Sequence, residues 1–417
     1  MKKIICPFCF KKFRKSKIWF RCENKTCKGP DKNNPYPKND EKIDKYWGNM
    51  GPKLYPFLPS FSIFGSETAK CPVCKETTHK VICPECHNSL DKEMLQDDTS
   101  IISIIGGKSS GKTNYITVLI WELIKRGYTF DAIHEVVTCG DYVVGKNSYT
   151  TAYRYTNDFY NQLYEKRKVH APTEITETSK AYKVPLIYRL TIGESSRGKG
   201  KGKSVFLVFY DTAGESFTSN ERIHEYAEFL RNSAGIIFLL DTWGISALKP
   251  KIEKITNEKP LPFDYIFENI KEYMRQKMTA KDREKFKSKP FAFAFSKIDT
   301  ILTDKDFDIN GLKMDMNSSF LTDKKLSLSD LYGMHMGLNN FLIDCDESNF
   351  LKSLGTHFGE KVTFFGFSAL GQMPENGEVK QNIEPYRALD PLVWILYELG
   401  YPIPLKKEKP PKKEIVY

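Results

Sequence analysis

Eight residues, Gly106–Thr113, read G-x-x-x-x-G-K-T and directly follow the apolar run Ile101–Ile105, four isoleucines and a serine. So short and β-branched a run predicts a buried central strand. The loop behind it is suited to wrap a polyphosphate. Glycine at 106, 107 and 111 lets backbone N–H groups converge at angles a Cβ would forbid. Lys112 would reach the β- and γ-phosphates, and the Thr113 hydroxyl is placed to ligate Mg2+. Lys108, Ser109, Ser110 and Asn114 belong to the same binding stretch. Ile116, Leu119, Ile120, Leu123 and Ile124 follow at helical spacing, so a helix N-terminus should face the phosphates. This pattern predicts a nucleoside triphosphate site.

Eight of the ten cysteines form the second constellation: Cys6/Cys9, Cys22/Cys27, Cys71/Cys74 and Cys83/Cys86, three of them C-P-x-C. Two thiolates on one tight turn reach a single tetrahedral ion, and two such turns close the shell of a structural Zn2+. Sequence proximity groups Cys6, Cys9, Cys22 and Cys27 around one zinc and Cys71, Cys74, Cys83 and Cys86 around another; an interleaved grouping is the alternative. His79 and His87 are spare. Cys83–His87 also matches the C-x-x-C-H of haem attachment, but that chemistry needs export and the other paired cysteines favour zinc. Ribbons this small fold only with their metal. Cys139 and Cys345 read as buried small hydrophobes.

At 417 residues, 40% hydrophobic and 28% charged, the chain is an ordinary globular protein of one main domain with smaller ones. It has no apolar run of membrane-span length and no signal-peptide pattern at its start, so a cytoplasmic location is expected. The net charge of +11 sits at the two ends. Residues 1–97 hold 19 Lys+Arg against 11 Asp+Glu, residues 406–417 hold 5 against 2, and 98–405 is formally neutral. Phe10–Arg21, FKKFRKSKIWFR, interleaves cations with aromatics and has the composition of a nucleic-acid surface. Two four-thiolate zinc sites would carry about −2 each and halve the local surplus. A protein partner is therefore favoured over nucleic acid. The expected organisation is a double zinc-ribbon region, 1–97 (ribbons at 1–30 and 68–90 with an extended Pro/Asn/Lys-rich connection), a nucleotide-binding domain, 98–402, and a basic disordered tail, 403–417.

Val184–Ile192 and Val205–Tyr210 predict an antiparallel hairpin, and its second strand runs into Asp211-Thr-Ala-Gly214-Glu215. Asp211 would hold Mg2+ through water, and the Gly214 N–H would sense the γ-phosphate. With a phosphate loop upstream, this acidic turn makes the chain resemble the TRAFAC-class, Ras-like P-loop GTPases. The resemblance extends to Ser296-Lys297-Ile298-Asp299, matching [N/T]-K-x-D with serine first, and to Ser368-Ala369, matching the S-A loop. It spans residues 106–369. In that family the aspartate selects guanine, the lysine stem covers the base, and the S-A loop offers an N–H to the guanine oxygen.

The resemblance implies an α/β P-loop NTPase with a six-stranded, mostly parallel sheet, strands at 101–105, 184–192, 204–210, 235–241, 290–295 and 362–367, preceded by two small zinc ribbons. It implies GTP/GDP and Mg2+ as ligands, beside the two Zn2+ expected from the cysteine spacing. Thr173, after Pro172, is the favoured first-switch threonine, with Thr176 and Thr178 as alternatives. Glu215 stands where many members have a water-orienting glutamine; an acceptor-only, charged group there implies slow GTP hydrolysis or help from a partner's arginine. Arg197 and Arg222 are the arginines available in cis. Residues 300–360 are expected to be a helical insertion and Asp390–Leu399 a closing helix. Zinc ribbons joined to such a GTPase also resemble chains of bacterial conflict and defence systems. The leading expectation is a regulatory GTPase; the rivals are a GTP-gated nucleic-acid or ribosome binder and a nucleotide-binding scaffold that hardly hydrolyses.

Overall fold

β1, Ile101–Gly106, is buried along its whole length, as its composition predicts. It stands inside a seven-stranded sheet with β2 (Ile133–Cys139), β3 (Leu186–Ile192), β4 (Lys203–Phe209), β5 (Gly235–Asp241), β6 (Phe291–Ser296) and β7 (Val362–Gly366). The spatial order is β7-β6-β5-β1-β4-β3-β2. Neighbours are parallel from β7 through β4, and β3 is antiparallel to both β4 and β2. The computed structural model describes residues 3–33, 35–36, 40–47, 54–59, 67–95, 99–107, 109–126, 132–139, 143–144, 147–148, 150–170, 184–193, 202–210, 228–255, 263–302 and 323–409.

The expectation of six strands is corrected by β2. Its sequence, IHEVVTC, is fully buried only at its two ends, so neither alternation nor an apolar run marks it. The β3–β4 hairpin has the expected antiparallel register, from Leu186 opposite Phe209 to Ile192 opposite Lys203.

Alternation along β6 builds the two faces of the core. Phe293 stacks near Phe238 and packs edge-on against Phe358 and Phe364, and Phe267 of the helix Phe263–Lys277 fills the same face. Ala292 and Ala294 leave room on the other face for the helix Asp390–Glu398, whose Trp394 lies 5.6 Å from Phe365. Burying such rings contributes roughly 1.5–3 kcal/mol each. The predicted closing helix is less amphipathic than expected: Asp390 through Leu396 are all buried.

Residues 323–358 are no appended insertion. Leu328–Asp344 packs on β7, and Phe350 and Phe358 of Ser348–Phe358 enter the phenylalanine core, so this segment is the helical crossover from β6 to β7. Of the tail expected to be disordered over 403–417, residues 403–409 are placed and hydrogen-bonded, and 410–417 lie outside the described residues. Leu326 N donates to Pro404 O at 2.8 Å, Lys406 N to Leu326 O at 2.9 Å, and Glu408 accepts from Ser327 and Ser329. In the 28–66 connection, expected to be extended, Glu41–Trp47 is a helix that buries Ile43 and Trp47, and Pro56–Phe57 adds a short strand. The short strand expected near 61–64 falls outside the described residues. No helix among the described residues is long and apolar enough to cross a membrane.

Candidate nucleotide site and metal centres

The phosphate loop leaves the carboxyl end of β1 where a side chain has no room. A Cβ on Gly106 would lie 2.5 Å from Ser110 Oγ and 3.2 Å from Leu239 Cβ of β5. The loop then curls through left-handed backbone at Ser109 (φ 62°) and Gly111 (φ 70°), the second a conformation that glycine adopts without strain. Ser110 N donates to Gly107 O at 3.3 Å, and Lys112 opens the helix Lys112–Arg126. Its first turn therefore points backbone N–H groups at the loop, the geometry that favours an anion. Ser110 and Lys112 are buried, and Thr113 and Asn114 follow on the first turn.

Two strands away, the ends of β6 and β7 bring together the residues expected from sequence to read a base. Ile298 N donates to Phe367 O at 3.2 Å, so the loops after the two strands run side by side. Asp299 is 6% exposed, and burial raises its carboxyl above the usual range, with a Ser368 hydrogen bond and the Lys297 charge pulling it back. Ser296 is buried and its hydroxyl donates to Leu240 O at 3.2 Å, which serine can do from this position. Ala369 is partly buried at the start of the loop that returns to Tyr386. Tyr115 on the phosphate-loop helix lies 4.6 Å from Phe367, joining the two halves of the site.

Two residues of this region were not singled out from sequence. Lys297 Nζ pairs with Asp241 at 3.1 Å and lies 3.7 Å from the centre of the Trp243 ring. Asp241 and Trp243 follow the apolar run of β5; an acidic-aromatic turn after a central strand was the available signal. Trp243 is itself held by a bond from its Nε1 to Thr300 at 3.1 Å. A cation over an indole contributes about 0.5–2 kcal/mol. If Lys297 covers a guanine base as the sequence motif implies, Trp243→Leu is expected to weaken guanine-nucleotide binding several-fold by freeing Lys297, with ATP binding unchanged in calorimetric titration.

Lys108, Thr173, Asp211, Gly214 and Glu215 lie outside the described residues, as do Thr176, Thr178, Arg197 and Arg222. Their flanks are placed. His170, three residues before Thr173, donates its backbone N–H to Asn114 Oδ1 at 3.3 Å, and its ring lies 3.3 Å from Thr117. Tyr210, next to Asp211, is buried, and its hydroxyl donates to the carbonyls of Pro7 and Phe8 at 3.2 and 2.5 Å.

Pro7 and Phe8 belong to the first metal turn, and here the grouping by sequence proximity is overturned. The four-cysteine clusters are Cys6, Cys9, Cys83 and Cys86, and Cys22, Cys27, Cys71 and Cys74. The interleaved arrangement is the one formed. Sγ separations of 3.6 Å (Cys6–Cys86), 3.8 Å (Cys9–Cys83), 3.6 Å (Cys22–Cys74) and 3.9 Å (Cys27–Cys71) match the roughly 3.8 Å edge of a tetrahedron built on 2.3 Å Zn–S bonds. The three C-P-x-C turns share one design. The first cysteine's carbonyl accepts from the residue four on, its N–H donates to the carbonyl five on, and that fourth residue (Phe10, Lys75, His87) has left-handed φ. Amides of Phe8 and Glu85 point at Cys6 and Cys83 sulfurs at 3.4 Å. Burial pushes Cys6 well above the usual thiol range, so four thiolates here need a cation to compensate them. Both clusters fit Zn2+.

The spare histidine has a structural task. His87 Nδ1 bonds Asp40 at 2.9 Å, and Arg21 reaches Asp40 at 3.0 Å and His87 O at 3.1 Å, all buried. Two of the four aromatics of residues 10–21 are likewise used inside, and Phe13 and Trp19 are partly buried. Phe10 and Phe20 are buried and Trp19 lies 5.1 Å from His87. Phe10 and Phe20 are therefore not available to stack on bases. Cys139 is buried, and burial pushes Cys345 up to about 11, in keeping with inert thiols.

These features define an α/β chain with a phosphate loop at the carboxyl ends of its parallel strands and two four-cysteine centres. No family model matches it. Over 332 residues it is 23% identical to a putative ESX-1 scaffolding and assembly protein, SaeC, of Mycolicibacterium smegmatis, covering 76% of this chain and 80% of that one. Similar solved structures include the GTP-bound GTPase-like domain of S. cerevisiae Ski7, at 12% identity and TM-score 0.32, where the match covers 72% of this chain and half of that one. The Arl6 small GTPase of Trypanosoma brucei matches at 12% identity and TM-score 0.24, over 72% of this chain and 96% of that one.

Proposed function

We propose that this chain is a regulatory GTPase: it binds Mg-GTP, hydrolyses it slowly, and switches a protein-binding surface as it does so. The observation that carries this reading is the meeting of Asp299 and Ser368 at the ends of β6 and β7, beside the phosphate loop. In the ionised form Asp299 accepts from the guanine amino and ring N–H groups, a donor pair adenine lacks. Lys112 and the loop amides hold the β- and γ-phosphates; Thr113, with Asp211 through water, holds Mg2+, which neutralises charge on the transferred phosphoryl group. Thr173 and Gly214 are the candidate γ-phosphate sensors, and Glu215 the reason for slow hydrolysis. Similarity to a protein named for scaffolding and assembly supports a protein partner. Action with co-encoded proteins in a bacterial conflict system is part of the same reading, resting on the architecture alone.

The test is calorimetric titration of GTP, GDP and ATP with Mg2+ into zinc-replete protein and its Asp299→Asn variant. Guanine nucleotides should bind in preference to ATP, and the variant should lose that preference, since hydrogen bonds to a charged group contribute about 1.5–3 kcal/mol. Because burial raises Asp299, its ionised form costs the free fold stability, so the variant should fold at least as well as the parent. The same raised value means that guanine preference fades, as pH falls, before an ordinary carboxylate near 3.8 would protonate. Equal ATP binding, indifferent to the substitution, would sink the assignment; absence of multiple-turnover phosphate release would leave a non-hydrolysing scaffold.

A further inference from the structure

A cleft of about 670 Å3 opens where β1, β5 and β6 begin, at the end of these parallel strands away from the phosphate loop. Its walls come from the hairpin of the first metal turn, from the chain entering β5, and from the helix Ala280–Lys287 with the residues after it. Six cations face it: Lys3, Lys11, Lys12, Arg231, Lys285 and Lys289. Among the described residues two carboxylates do, Glu228 and Asp282. Lys11 pairs with Glu228 at 2.9 Å and Arg231 with Asp282 at 3.1 Å. Lys289 Nζ is spent on neutral acceptors, the carbonyls of Leu230 and Arg231, both at 2.7 Å. Among the described residues the lining thus holds six basic side chains against two carboxylates.

Burying an ammonium group in a concave wall is unfavourable, and neighbouring cations add to the cost. Burial, then repulsion from Lys12, lowers Lys289 to about 7. Low-dielectric walls focus such a field and concentrate anions. Ammonium groups act as point charges suited to phosphate oxygens. The volume lies within the range of about 300–1,000 Å3 typical of small-molecule sites.

We propose that this cleft binds a small ligand carrying two or more phosphate groups, either an inorganic polyphosphate or the tail of a nucleotide, at a site separate from the phosphate loop. Such a ligand would bridge Lys3 and Lys12 on the hairpin of the first cysteine turn to Lys285 and Lys289 on the sheet domain. Since Glu228 and Arg231 lie between Gly214 and β5 in sequence, it would also touch the chain that leads from the Asp211–Glu215 motif into β5. The inference does not depend on guanine recognition.

The test uses full-length, zinc-replete protein carrying Lys112→Ala, which disables the phosphate loop, titrated calorimetrically with tripolyphosphate, GDP and an Asp/Glu-rich peptide. Saturable one-to-one binding of tripolyphosphate is expected, weakened at least tenfold by adding Lys285→Glu, or Lys12→Glu if the first variant folds poorly. Tripolyphosphate and GDP binding alike would identify the diphosphate tail as sufficient; tripolyphosphate alone would identify the inorganic ligand. No saturable phosphate binding, binding indifferent to both charge reversals, or binding of the peptide alone would overturn the proposal. Guanine preference in the Lys112-intact protein is read separately, so either reading can fail without the other.

Discussion

Cys6→Ser/Cys83→Ser protein should retain about one zinc per chain, and Cys6→Ser/Cys22→Ser protein none. The first pair lies in one centre and the second pair spans both. Grouping by sequence proximity predicts the reverse, so zinc released on thiol modification, counted colorimetrically, decides between them. The energetic consequence is large. Structural zinc in small modules contributes an apparent 10–16 kcal/mol to folding at neutral pH. Here each centre also closes a long loop: Cys6 and Cys86 are 80 residues apart and Cys27 and Cys71 are 44 apart. Chelation is accordingly expected to release residues 3–95 together, not one ribbon at a time, with proteolysis appearing along this whole segment at once. Sequential release of a 1–30 fragment from an intact 68–90 ribbon would contradict the crossed connection.

Phe10→Ala should cost about 3–5 kcal/mol of stability in denaturant unfolding, the range for deleting a buried aromatic ring. It should also reach the nucleotide. Phe10 is fully buried against Phe229, ring centres 4.3 Å apart, and Phe229 stacks on Tyr210 at 4.6 Å. Tyr210 directly precedes Asp211, and Phe229 lies beyond Gly214 and Glu215 on the way to β5, so the first cysteine turn holds residues on both sides of the Asp211–Glu215 motif in sequence. If that motif changes with the γ-phosphate, the two arrangements must differ in how they seat this trio. On the GTPase reading, Phe10→Ala should change the ratio of GDP to GTP-analogue affinity by roughly 5-fold or more, the lower end of typical coupling energies. The zinc content should stay at two. A loss of stability with an unchanged nucleotide ratio would make the contact structural only.

The sequence by itself determined the local parts. A β-branched strand, three glycines, a Lys-Thr pair and a helix are contiguous, so the phosphate loop was legible before any fold. Six of the seven strands were legible for the same reason, each being a buried apolar run. Cysteine pairs on C-P-x-C turns also announce themselves, because each turn is built within six residues. Spacing says that two turns share a metal but not which two, since the sulfur shell is satisfied by any pair the chain can bring within about 4 Å. That choice was tertiary: strand Trp19–Arg21 pairs with Lys80–Ile82, and the buried Arg21–Asp40–His87 bonds lock the crossed arrangement. The half-polar edge strand β2, the seven-residue helix Glu41–Trp47 with two buried side chains, and the tail along Leu326 were likewise set by distant partners. So were the Lys297–Trp243 contact, the packing of Phe10 on Phe229 and the basic cleft. Each joins residues dozens to hundreds of positions apart, where no local pattern could carry the information.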